Sequence, residues 1–201
     1  MEIIGTVTAN QPLLVMAVHL EAEALFAETK GDKRESDLPV LLTGMGKVNA
    51  ALSVATVLAR GPHPSEIINL GTAGGLHPGL TGTHTIGTVL QHDLDSDALF
   101  RITGLVTGPP LLVGDPDGPT LATGDSFIAD EVTRDRLAVH ASLVDMEGYA
   151  VAAAAQAAGV PVRLVKHVSD DASEQAGMTW QQSVAECARS LAAWVAENVP
   201  R

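Results

Sequence analysis

Four clusters of polar or glycine residues each follow a short apolar run in this chain: Glu21, Gly71-Thr72-Ala73-Gly74-Gly75, Asp145-Met146-Glu147 and Ser169-Asp170-Asp171. Carboxyl groups can move protons, and a glycine-rich segment can bring backbone N–H groups close to a ligand. Each cluster also has a plain structural reading. A Gly run after a strand is often a tight turn. A Glu at a helix start complements the helix dipole, and an Asp after a strand is commonly an N-cap. Their joint occurrence in one small chain is what points to a site. Glu21 has a rival in Glu23; positions two apart on a helix face differently, and Glu21 is preferred because it comes sooner after the strand end. His92 and His167 resemble metal ligands only in type. No His/Asp/Glu cluster has a recognisable zinc spacing, so both read as hydrogen-bonded structural histidines, and no metal or other cofactor is expected. Cys187, beside Ala188 in an apolar helix, reads as core.

The elements that would position these clusters alternate between strand and helix. Leu13 to Val18 is an apolar run without a polar face and reads as a buried strand. Glu21 to Lys30 suits a helix. Pro39 to Thr43 is a second strand, and Gly44-Met45-Gly46 a turn. Val48 to Arg60 is an Ala-rich helix stopped by Gly61-Pro62. Glu66 to Leu70 is a third strand, ending in the Gly run, and Thr85 to His92 a fourth. Residues 103–120, rich in Gly, Pro and Asp, read as a hairpin or excursion. Leu143 to Asp145 ends another strand, Gly148 to Gly159 is an Ala-dense helix, Val162 to Val168 a final strand and Trp180 to Asn198 the closing helix. This order predicts an α/β fold, one domain over residues 1–201, with a central mixed, largely parallel sheet flanked by helices. In such sheets sites form at the C-terminal ends of strands.

Composition narrows the partners. The 201 residues are 46% hydrophobic and 18% charged, enough to bury a substantial core. Aromatic residues make up 3%, so the core must be aliphatic. The formal charge of -12 disfavours nucleic acid and anionic membrane surfaces, which would repel it. The N-terminus lacks the pattern of a signal peptide and no apolar run has membrane-spanning length. One cysteine excludes an intrachain disulfide, and a cytoplasmic location is expected.

Several blocks resemble the nucleoside phosphorylase and nucleosidase superfamily, most closely the methylthioadenosine/S-adenosylhomocysteine nucleosidases. They are Gly44-Met45-Gly46-Lys47-Val48-Asn49-Ala50, Asn69 to Leu76, Gln91-His92-Asp93-Leu94-Asp95, Thr123 to Ile128, Val144-Asp145-Met146-Glu147-Gly148, and Val168 to Ala172 continuing to Ala176-Gly177-Met178-Thr179-Trp180. They occur in the family's order from about residue 13 to residue 198, and the Asp-Met-Glu-Gly and Ser-Asp blocks together are specific.

The resemblance implies a role for each residue. Asp170 matches the general acid that protonates N7 of the departing purine, and Ser169 the group that holds its carboxyl. Glu21 best matches the base that activates water. Glu147 matches the carboxylate that accepts the ribose 2′ and 3′ hydroxyls, with Met146 under the sugar. Phe127 matches the ring stacked on the base, and Ile128 the backbone that reads adenine's edge. Trp180 falls where an aromatic residue covers the 5′ substituent. Thr72, Ala73 and Gly74 are expected to offer N–H groups near water and ribose, as an anion-binding nest does, and Met45 is counted with the substrate-binding residues. A small-molecule nucleoside substrate and a homodimer follow from the same resemblance. Leu111-Leu112-Val113 and Met178 are further candidates for an apolar 5′ wall.

The chemistry requires such a set. Breaking an N-glycosidic bond leaves positive charge on the ribosyl ring and negative charge on the base, so carboxylates near the sugar and a positioned acid at the base both help. A carboxylic acid does this near neutrality only with a raised or substrate-coupled pKa. A phosphorylase needs cations for phosphate, usually arginines on early loops. Between residues 10 and 60 the only arginines are Arg34, in a charged stretch that reads as a solvated loop, and Arg60, at a helix end. Hydrolysis is therefore favoured over phosphorolysis. A non-catalytic nucleoside-binding protein on the same scaffold is the rival from another class, and the pairing of Glu21 with Asp170 argues against it. Two departures from the family pattern leave the choice open among methylthioadenosine, S-adenosylhomocysteine, 5′-deoxyadenosine and adenosine: the chain is compact for the family, and the stretch from Asp95 to Thr120 does not match its usual pattern; Asp145 also stands in place of the usual Glu.

Overall fold

In the computed structural model, which describes residues 1–26 and 36–200, the chain folds into a mixed ten-stranded sheet with helices on both faces. In chain order the elements are β1 (Glu2–Ile4), β2 (Leu13–Met16), α1 (His19–Ala22) with a 3-10 turn (Glu23–Leu25), β3 (Val40–Leu42) and α2 (Lys47–Arg60). Then come β4 (Ile67–Gly75), β5 (Thr83–Thr85), β6 (Thr88–Gln91), α3 (Ser96–Thr103), β7 (Leu111–Leu112) and β8 (Thr120–Thr123). The chain ends with α4 (Glu131–Ala138), β9 (Leu143–Asp145), α5 (Gly148–Ala157), β10 (Val162–Asp170) and α6 (Ala176–Asn198). The strands lie in the order β1-β3-β2-β4-β9-β8-β6-β7, and β10 runs parallel to β4 and antiparallel to β5. The pairs β2/β3, β2/β4, β6/β8 and β8/β9 are also parallel.

The run Leu13-Leu14-Val15-Met16 shows why the sheet sits in the middle. Alternate side chains of a strand point to opposite faces. Leu13 and Val15 pack with Val54 and Val57 of α2 and Val151 of α5, whereas Leu14 and Met16 pack with Leu191 and Val195 of α6. All four residues are buried, which is why the strand reads as one apolar run. Each such side chain contributes about 1.5–3 kcal/mol on burial. The alanines of α5 allow its close approach to α2 and the sheet.

The structure differs from the sequence expectations in several elements. Strand β4 does not end at Leu70 but continues through the Gly run to Gly75, paired with β10. Its glycines provide clearance instead of a turn: a Cβ at Gly74 would lie 3.1 Å from Val144 and 3.3 Å from Asp170 Oδ1. The fourth strand is broken into β5 and β6 around Ile86-Gly87. The stretch before residue 120 begins with the helix α3, capped by Asp95, whose side chain accepts from Ala98 N. Helix α4 (capped likewise by Asp130) and strand β1 are additional elements. The expected helix from Glu21 is seen as α1 and its 3-10 turn; its last residues, 27–30, and Arg34 lie outside the described residues.

Candidate active site

A cleft of about 390 Å³ opens at the C-terminal ends of β2, β4, β8, β9 and β10. Of the site residues picked out from the sequence, Met45, Glu21, Thr72, Ala73, Gly74, Phe127, Ile128, Met146, Glu147, Ser169, Asp170 and Trp180 line it. Ala17, Val18, Ser126, Val144, Asp145, Gly177 and Gln181 join them. Glu23, the rival to Glu21, is exposed and is not among the lining residues.

Glu21 reaches the cleft from α1, just past the end of β2, and is 5% exposed. One carboxylate oxygen, Oε1, accepts from the Thr72 backbone N–H and from the Thr72 hydroxyl, both at 2.7 Å. The other, Oε2, is buried and has no hydrogen-bond partner among the described residues. The Thr72 hydroxyl also accepts from the Trp180 indole N–H at 2.9 Å. The stretch from Thr72 to Gly74 is therefore extended strand and not an anion nest, and the Thr72 amide is spent on Glu21.

Asp170 is the last residue of β10, beyond a register shift against β4 between Val168 and Asp170. Its Oδ2 accepts from Ser169 Oγ at 2.7 Å and its Oδ1 from the Ala172 amide at 3.0 Å. Burial pushes its carboxyl above the ordinary Asp range, against the stabilising effect of those two donors. The neighbouring Asp171 instead accepts from Ser173 N at 3.3 Å and is exposed.

Between these two carboxyls lie Asp145, Met146 and Glu147, at the end of β9 and the start of α5. Glu147 Oε1 accepts from Gly46 N at 2.7 Å. Gly46 has φ +92, a left-handed conformation that suits glycine and turns its N–H toward the cleft. Burial, then the negative charge of Asp145, pushes the Glu147 carboxyl up to about 8. Beneath it Lys166 of β10, 1% exposed, pairs with Asp145 Oδ2 at 2.8 Å. Asp145 is further held by the Thr123 hydroxyl at 2.5 Å and the Gly148 amide at 2.8 Å. Burial works to neutralise the Lys166 ammonium, but Asp145, then Glu147 and Glu21, hold its pKa above the ordinary Lys value.

Lys166 escaped the sequence reading, although a lysine between Leu164-Val165 and His167-Val168 in a buried strand demands a partner. A second missed network secures the rim. Lys47 Nζ binds Asp93 at 2.6 Å, Lys47 N donates to Asp125 at 2.7 Å, and Asp125 N donates to Asp93 at 2.9 Å. This ties the start of α2 to the loop that carries Phe127 and Ile128. Ile128 is buried, while Phe127 is 51% exposed.

Three expectations are corrected. Leu111, Leu112 and Val113 do not line the cleft; Val113 is buried against Ile86 and Val89, and Leu112 is exposed on β7. Met178 is exposed and outside the cleft lining. His167 meets Thr83 Oγ1 at 2.7 Å, as a structural histidine should, but His92 Nε2 has no hydrogen-bond partner among the described residues and faces Gly124. Among the described residues no group of three or more His, Cys, Asp or Glu is arranged to hold a metal, and no helix is long and apolar enough to cross a membrane.

The fold and this strand-end cleft define a class. The family model of the Phosphorylase superfamily matches residues 25–119 and 117–199, and the chain belongs to that superfamily. Within it, the chain is similar to the 5′-methylthioadenosine/S-adenosylhomocysteine nucleosidase of Staphylococcus carnosus: 32% identical, covering 84% of this chain and 83% of the relative. Among solved structures it resembles the Helicobacter pylori 5′-methylthioadenosine/S-adenosylhomocysteine nucleosidase, at 22% identity and a TM-score of 0.78, over 94% of this chain and 97% of that one. The futalosine hydrolase of the same organism matches equally well in fold, at 21% identity and a TM-score of 0.78, over 94% and 96%. The fold is thus shared by enzymes with different substrates, and only the site can choose among them.

Proposed function

We propose that this chain hydrolyses the N-glycosidic bond of adenine nucleosides with a modified 5′ end, 5′-methylthioadenosine and S-adenosylhomocysteine among them, and releases adenine. One observation carries the choice of hydrolysis over phosphorolysis. The described residues lining the cleft include the carboxyl side chains of Glu21, Asp145, Glu147 and Asp170, and none is Arg or Lys. A phosphate beside one such carboxylate, at about 4 Å, faces roughly 4 kcal/mol of repulsion at an effective dielectric near 20. Water faces none.

In this reading Asp170, its pKa raised, gives its proton to N7 of the purine as the bond breaks. The Ser169 hydroxyl and the Ala172 amide hold it in line. Glu21 takes a proton from water through Oε2, the oxygen that accepts no hydrogen bond among the described residues. Glu147 holds the ribose diol, Met146 lies under the sugar, and Phe127 stacks on the base while the Ile128 backbone reads its edge. Ala73 and Gly74 line the cleft along β4, Met45 closes the rim, and Trp180 covers the 5′ substituent. The test is adenine release from methylthioadenosine in phosphate-free buffer with free methylthioribose as co-product. Strict dependence on phosphate, with a sugar 1-phosphate product, overturns the reading.

The same reading includes a homodimer in the cytoplasm. Val48 and Leu52, one helical turn apart on α2, are exposed beside Met45, and Phe100, Ile102, Leu105 and Val106 expose a second apolar group around α3. Exposed apolar groups of this kind favour association. Sedimentation at the monomer mass contradicts the assembly.

A further inference from the structure

A wall residue of the cleft needs only an apolar surface, yet Trp180 does more than present one. Its Nε1–H donates to Thr72 Oγ1 at 2.9 Å, and that hydroxyl stands 2.7 Å from Glu21 Oε1. An indole N–H can only donate, and a threonine hydroxyl has one proton. The indole N–H can only donate to the hydroxyl oxygen, so of these two neighbours only Glu21 Oε1 can accept the hydroxyl proton. The Thr72 amide adds a second donor at 2.7 Å to the same oxygen. Both donors therefore converge on Oε1, and Oε2 is left as the buried acceptor without a partner.

We infer that Trp180 is a positioning residue for Glu21: the relay from indole to Thr72 hydroxyl to carboxylate selects which oxygen of Glu21 meets water. The inference rests on the reading of Glu21 as the base that activates water. It goes beyond the role of Trp180 as a cover for the 5′ substituent, because a phenylalanine of similar shape could serve as a cover but could not start the relay. The relay also joins the two functions, since whatever holds the indole plane over the 5′ group holds the base in place.

A double-substitution cycle in the full chain tests this. Trp180→Phe keeps an aromatic wall and removes the N–H; Thr72→Val keeps the shape and backbone amide and removes the hydroxyl; Thr72→Ser restores a hydroxyl. Trp180→Phe is expected to lower kcat about ten-fold when residue 72 is Thr or Ser and less than two-fold when it is Val, with 5′ packing losses falling on KM in every background. Equal kcat penalties in all three backgrounds overturn the relay. A measurement without turnover reports on the bond itself. The chain has two tryptophans, Trp180 and Trp194. In a Trp194→Phe background the remaining indole ¹⁵N–¹H signal should resist solvent exchange and lose that protection on Thr72→Val; a signal that exchanges freely in both overturns the proposal. A chain that releases no adenine but keeps a Thr72-dependent protected indole sinks the functional reading and, with it, the catalytic role of the relay. Adenine release with equal penalties sinks the relay alone.

Discussion

The Asp170 and Glu21 ends of the cleft both bury a carboxyl, but they satisfy it differently. At Asp170 the donors are divided, one to each oxygen, and burial raises the pKa. At Glu21 both donors go to one oxygen and the other has none. A carboxyl evenly held and poised to keep its proton suits an acid. One held by a single oxygen, with the other a buried acceptor unpartnered among the described residues, suits a base. The contrast comes from neighbours and not from the residue type: an Asx-like turn with Ser169 and Ala172 at one end, and the Thr72 edge of β4 at the other. Between them the floor is a buried ion pair, Asp145 with Lys166, which holds β9 to β10.

If the two ends depend on that shared floor, breaking it should damage both. Lys166→Met leaves Asp145 buried and uncompensated, and a buried pair broken on one side costs about 3–5 kcal/mol. Denaturant unfolding should show that loss, and the Lys166→Met, Asp145→Asn double variant should recover much of it. A single variant of unchanged stability would mean that the floor is not what aligns the ends.

Asp170→Asn separates the ends. Turnover should fall at least about 100-fold, the usual scale for a general acid, with KM little changed and the fold intact by circular dichroism. Turnover near that of the unsubstituted chain would remove Asp170 from the reaction.

Glu147 sharpens the contrast through pH. Its carboxyl is pushed up to about 8 in the folded chain from an ordinary value of 4.5. Below the lower value both states hold the proton and nothing changes. As pH rises toward 8 the unfolded chain releases its proton while the folded chain keeps it, so stability falls across that window and levels off above it. Glu147→Gln should remove this fall, so its stability relative to the parent should improve from pH 5 to pH 8.5. A constant difference across that range contradicts the raised pKa. Above pH 8, where the Glu147 carboxyl is ionised, the same substitution should weaken discrimination between ribosyl and 2′-deoxyribosyl substrates, because an amide presents a donor where a carboxylate presents only acceptors.

The smallest effect concerns the 5′ end. Ala17, Val18 and Trp180 give the cleft apolar lining. A buried methyl-sized group is worth roughly 0.8 kcal/mol, and a hydroxyl left unpaired costs about 1–3 kcal/mol. Methylthioadenosine should therefore exceed adenosine by roughly ten-fold or more in kcat/KM. Equal efficiencies would show an open or polar 5′ end.

How much of this was legible in the sequence depended on whether the signal was local. Asp170 with Ser169, and Glu147 with Met146, sit in contiguous blocks at strand ends, and the cleft gathers them as expected. Glu21 could be preferred over Glu23 because it comes sooner after the strand end, and on the short helix the first is buried and the second exposed. Lys166 was hidden because its partner lies 21 residues away on another strand, so only the oddity of a charge in an apolar run marked it. The Gly run misled because glycine serves both turns and close approach; here it makes room for Val144 and Asp170. Helices α3 and α4 are short and polar-capped, and their strongest marks, Asp95 and Asp130, are equally common in loops. The Trp180–Thr72–Glu21 relay joins three distant segments and has no local signature.

The division of labour between the two ends is tested most directly by a substrate whose leaving group needs no proton. In 4-nitrophenyl 5-methylthioriboside the leaving group is 4-nitrophenolate, a stable anion, so an acid at the base position has little left to do, while the attacking water still needs its base. Turnover of this substrate and of methylthioadenosine is compared in Asp170→Asn and Glu21→Gln. The account predicts that the penalty of Asp170→Asn shrinks from at least about 100-fold to within a few-fold, while that of Glu21→Gln stays large on both substrates. Unchanged penalties for both variants would contradict it.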